Sequence, residues 1–139
     1  MKKILILLTF IISLPLFAED FAVVVNSAAG GDNAKNAYLL NVESWGSGSA
    51  VEPYALDKAG GLKNVLIHKA FAKSFLGMGV SDYKGHWANR KAAGKTKKPT
   101  LVKDFKAMKR FITRKKGAIG YLPKSMVTGD MKVVGNFSN

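Results

Sequence analysis

The 139-residue chain contains no cysteine. Disulfides are excluded, so the fold rests on packing, and thiolate nucleophiles and thiolate metal sites are excluded with them. Histidine is nearly as scarce: His68 and His86 are the only two, on different predicted helices. Acidic residues number 9 against 22 lysines and arginines, and they are scattered, with no close pair to serve as an acid/base couple. No cluster of histidine or carboxylate stands at metal-ligand spacing, and no Walker-type loop or dinucleotide fingerprint occurs. A non-catalytic protein without metal or cofactor is expected. Long apolar runs are also missing. The longest, Ile4 to Phe17, has 14 residues, short of the roughly 20 that span a membrane.

That run follows Lys2 and Lys3 and precedes Ala18, Glu19 and Asp20, which is the layout of a cleavable export signal over residues 1–18. An uncleaved anchor is the alternative. Residues 19–139 then form one domain of a size that supports a real core. Export without cysteine suits a bacterial periplasmic protein.

What the chain has in excess is positive charge, unevenly placed. Residues 90–116 hold 12 cations and one anion, Asp104, which gives this segment +11; the rest of residues 19–139 is neutral on balance. An anionic ligand or partner is one implication, and a solvated face that only aids solubility is the other. Aromatic residues do not interleave with these cations, so nucleic acid is not an expected partner.

The coarse pattern is α/β. Residues 21–26 read as a buried strand and residues 51–56 as a second, with Pro53 arguing for an edge or a break. Asp32 or Asn33 is placed to cap a short helix through Leu40, and Ser81 or Asp82 to cap a helix carrying Tyr83, His86 and Trp87. Residues 62–76 read as a largely buried central helix. Leu101, Phe105, Met108 and Ile112 share a stripe at helical spacing, which predicts a helix from Thr100 onward with Lys103, Lys106, Lys109, Arg110 and Arg114 on its other side as a basic interaction face. Gly117 stands where a left-handed cap would end that helix. Strands over residues 118–122 and 131–134 follow. Gly60-Gly61 before the central helix could expose backbone N–H groups to an anion, or could simply make a loop.

The chain resembles small periplasmic phosphate ABC transporter substrate-binding-like proteins. The residues that carry the likeness are AVVVN at 22–26, then Tyr38, Leu39, Val42, Ser44, Trp45, Gly48, Val51 and Pro53. Further on they are Phe71, Leu76-Gly77, Trp87, Gly94, Pro99 and GAIGY at 117–121. The resemblance implies a single lobe of the type II periplasmic-binding fold, with about four strands and three to four helices. It implies binding of phosphate or a similar oxyanion, accessory to ABC transport, with a permease or partner lobe as associates. Ligand contacts are then expected at Asn26, Ser27, Gly60, Gly61, Asn64, His68, Gly120 and Tyr121. The family's usual Ser and Arg before the central phenylalanine are Val65 and His68 here. An alternative is an interaction protein that docks residues 90–116 on an acidic envelope or protein surface.

Overall fold

Strand β1 (Asp20–Asn26) carries three consecutive valines, and all residues from Phe21 to Asn26 are buried. A strand apolar on both faces needs neighbours on both edges and layers above and below it. The computed structural model, which describes residues 19–139, provides both. The export segment expected over residues 1–18 lies outside the described residues. β1 pairs antiparallel with β4 (Ala118–Pro123) on one side and with β5 (Met131–Ser138) on the other. β4 continues the sheet in parallel to β2 (Glu52–Leu56), which pairs in parallel with β3 (Thr100–Val102). The order is β3-β2-β4-β1-β5.

This is a mixed α/β lobe with five strands, one more than expected. The added strand is β3, over residues where the apolar stripe predicts the start of the basic helix. Helix α4 starts only at Phe105 and runs to Arg114, capped by Asp104 Oδ1, which accepts from the Ala107 N–H at 2.8 Å. Met108 and Ile112 are fully buried, as the stripe predicts, but Leu101 lies in β3 with 57% exposure and Lys103 precedes the helix. Gly117 is not a left-handed cap either. Its carbonyl accepts from Trp45 Nε1 at 2.8 Å and from the Glu52 N–H at 2.9 Å, and an added Cβ would stand 1.7 Å from the Ala50 carbonyl oxygen. Glycine is required there for close approach.

Pro53 sits inside the sheet because β3 is short. Glu52 donates toward Gly117 at the head of β4, so the next residue turns its nitrogen to the other side, where pairing with β3 begins only at Tyr54.

The helices cover both faces. Along β4 successive residues point to opposite sides. Gly120 faces Met108 and Ile112 of α4, while the Tyr121 ring meets His68 and Phe71 of α2 (Leu62–Phe71), which continues through one π-helical turn, Ala72–Leu76. α2 is less buried than its composition suggests: Ile67, Phe71, Ala72 and Leu76 are in the core, but Leu62, Val65 and Leu66 are exposed at 72%, 41% and 50%. The short helix α1 (Ala34–Tyr38) and α3 (Val80–Ala92) complete the layer. Neither uses the side-chain caps expected: α1 starts after Asn33 in a left-handed conformation and α3 after Gly79. No helix of the described residues is long and apolar enough to cross a membrane.

Candidate functional site

The parallel strands β3-β2-β4 set the geometry of the site. The connection from β2 through α2 and α3 leads outward to β3, and the connection from β3 through α4 returns across β2 to β4 on the opposite face. Two crossovers that leave to opposite faces put the switch point beyond the carboxyl ends of β2 and β3, the place where open α/β sheets take ligands. The segment from Asp57 to Asn64 stands there.

Local sequence explains its form. Asp57 Oδ1 accepts from the Ala59 N–H at 2.9 Å and starts a 3-10 turn, Lys58–Gly60. Gly61 follows at φ 113°, ψ 178°, a conformation open to glycine, and stands at the N-cap of α2 without a side chain to offer. The first-turn N–H groups of α2 are therefore not capped by a side chain, and no acidic residue lies in that turn. Gly60 is fixed by crowding: a Cβ there would meet Asn64 Nδ2 at 2.1 Å and the Lys103 carbonyl oxygen at 2.9 Å.

The expected contact residues divide into three groups. Gly60, Gly61, Asn64 and His68 are brought together around the start of α2. Asn64, however, is a clasp, with its amide donating to the carbonyls of Asp57 at 2.9 Å and Lys103 at 2.8 Å, which ties α2 to the ends of β2 and β3. Gly120 and Tyr121 lie in mid-strand, fully covered, and Gly120 is on the α4 face. Asn26 and Ser27 are at the other end of the sheet, because β1 runs antiparallel to β4. The Asn26 amide donates to the carbonyls of Ile112 and Thr113 at 2.9 and 3.2 Å, and its Oδ1 accepts from the Ala28 N–H, so it secures the end of α4. Neither Asn26 nor Ser27 meets the others.

His68 and Tyr121 form a partly buried relay. The Leu56 N–H donates to the Tyr121 hydroxyl at 3.0 Å, and that hydroxyl lies 2.7 Å from His68 Nδ1. With one lone pair already used, the tyrosine satisfies its proton by donating to an unprotonated Nδ1. Burial agrees, since it lowers the His68 pKa to about 4 and raises that of Tyr121. His68 is thus a neutral acceptor that fixes α2 on the sheet, rather than a substitute for a cationic ligand residue. Beside it, α2 and α3 flank a groove of about 330 Å³ lined by Leu56, Val65, Val80, Tyr83 and Leu101.

Positive charge around the start of α2 comes from Lys58 and Lys63, which sequence reasoning did not assign to a site, and from Lys103, which it assigned to the basic face. Lys58 and Lys63 flank the start of α2, and Lys103 follows β3, while the acids closest in sequence, Asp57 and Asp104, are used as caps. Lys63, in the first turn after a paired glycine, was the available signal. On α4, Lys106, Arg110 and Arg114 are exposed and Lys109 is half-buried. Among the described residues the ion pair within 4.0 Å is Lys95 with Glu43, at 3.4 Å.

No family model and no curated protein matches the chain. Among solved structures it is similar to an ABC-type phosphate transport receptor from Vibrio cholerae, with a TM-score of 0.55 and 14% identity over 84% of this chain. The match spans 46% of that receptor, about half its length. The fold of this chain is therefore like one lobe of a periplasmic binding protein.

Proposed function

We propose that the protein is a periplasmic, non-catalytic solute-binding domain for phosphate or a similar small oxyanion, accessory to ABC transport. The observation that carries this reading is the start of α2. A helix N-terminus without a side-chain cap lies at the carboxyl ends of β2 and β3, with Lys58 and Lys63 beside it in sequence and Lys103 just after β3. Backbone N–H groups, helix dipole and lysines together favour an oxyanion. The likeness to a phosphate transport receptor agrees in ligand class. A single lobe leaves its ligand open to water, so binding is weak unless a second lobe or a permease closes over it.

The test is calorimetric titration with inorganic phosphate at fixed ionic strength, comparing the wild type with Lys63→Glu. The substitution places a carboxylate in the first turn of α2, where the dipole favours it for folding but where it repels an anion. Saturable binding weakened about tenfold or more in Lys63→Glu is expected. Equal binding by both proteins rules out this site.

A second reading rests on the unpaired cations of α4. Lys106, Arg110 and Arg114 form one exposed row at helical spacing, suited to docking on an acidic envelope component or protein.

A further inference from the structure

Arg90 is buried, with 8% exposure, on the last turns of α3. Its Nη1 donates to the Leu40 carbonyl at 2.6 Å, and one turn earlier His86 Nε2 donates to the Leu39 carbonyl at 2.7 Å. These two bonds clasp α3 to the end of α1. They leave Arg90 Nε and Nη2 without a partner, although both atoms are buried. Nε and Nη2 form one complete edge of the guanidinium fork, the edge that grips two oxygens of a phosphate or carboxylate side by side. No carboxylate of the described residues is within 4.0 Å of it. An arginine keeps its charge in proteins, and a buried charge without a counter-charge is costly, so an unpaired edge calls for an explanation.

The surroundings supply one. The Arg90 guanidinium lies over the Trp87 ring, 5.8 Å from its centroid. Trp87 in turn lines a depression of about 390 Å³ together with Lys91, Lys95, Thr96, Lys97 and Lys98. Lys97 Nζ donates to the Val51 carbonyl just before β2, and Lys95 reaches Glu43 at 3.4 Å. These contacts place the depression at the amino end of β2, opposite the start of α2. Four lysines, even with the one charge of Glu43 set against them, exceed the charge of a single phosphate. The Trp87 ring offers a flat wall beside them, and the Arg90 guanidinium lies over that ring.

We propose that Arg90, Trp87 and the lysines of residues 91–98 form a second anion site that binds a ligand bearing two or more phosphate groups. Such a ligand is either a soluble polyphosphate or a phosphorylated lipid headgroup. Trp87 is its reporter, because the other tryptophan, Trp45, is buried and bonded to Gly117.

Tryptophan emission of the purified protein is followed during titration with tripolyphosphate at constant ionic strength, and separately with phosphatidylcholine vesicles carrying phosphatidate. Arg90→Gln and the surface double variant Lys91→Gln/Lys98→Gln are run alongside, each checked for a native melting transition. A saturable change with tripolyphosphate, weakened about tenfold in the variants, assigns a soluble polyphosphate. A change with phosphatidate vesicles alone, equally lost in the variants, assigns a headgroup. No change with either probe overturns the proposal, as does a response that the folded double variant retains in full.

Discussion

At the scale of single residues, the relay from Leu56 through Tyr121 to His68 ties stability to pH. His68 is neutral when folded, with its pKa lowered by burial from 6.5 to about 4. Between those values the unfolded chain binds the proton and the folded one does not. The stability this group supports is complete above pH 6.5 and is lost progressively as pH falls toward 4. The shift corresponds to at most about 3 kcal/mol. Denaturant melts of wild type and His68→Gln across this window check it: the wild type weakens and the variant stays flatter. Parallel slopes contradict a neutral buried His68.

Two glycines of the GAIGY stretch make a sharper pair. Gly117→Ala drives a Cβ into the Ala50 backbone, whereas Gly120→Ala meets Met108 Sδ at 2.7 Å and Ile112 Cδ1 at 3.1 Å, atoms of side chains that can yield. Losses of about 3 kcal/mol or more for the first and about 1–3 kcal/mol for the second are expected in urea unfolding. Glycine's importance at both positions was legible in the sequence, but the reason at Gly117 was not. It lies in the Ala50 loop, 67 residues earlier in the chain.

At the scale of elements, α4 and α2 were each read half correctly. The stripe of Phe105, Met108 and Ile112 found the buried face of α4, but Leu101 continues the same spacing by coincidence and belongs to a three-residue strand. Such a strand is too short to leave a period of its own. The all-round apolar pattern of α2 predicts burial, yet Leu62, Val65 and Leu66 are exposed, and Val65 lines the groove between α2 and α3. The basic row on α4 has its own test. Replacing Lys106, Arg110 and Arg114 by glutamine should change stability by no more than about 0.5 kcal/mol each, since exposed cations without partners contribute little. Salt-sensitive binding to phosphatidylglycerol vesicles, measured by sedimentation, should fall sharply in the triple variant. Unchanged binding would remove α4 as a docking face.

At the scale of the whole molecule, strand direction decides which residues meet. β1 was legible from its valines and β4 from GAIGY, but their antiparallel pairing was not, because neither strand carries a signal of orientation. That pairing sends Asn26 and Ser27 to one end of the sheet and the start of α2 to the other. The ligand set proposed here therefore centres on the backbone around Gly61, with Lys58, Lys63 and Lys103, and leaves out Asn26, Ser27, Gly120 and Tyr121. The most direct measurement of this account is an amide-resolved NMR titration with inorganic phosphate at constant ionic strength. Saturable shifts at the N–H groups of Gly61, Leu62 and Lys63, with Asn26 and Ser27 unmoved, are predicted. Shifts confined to α4, or none at the start of α2, would contradict it.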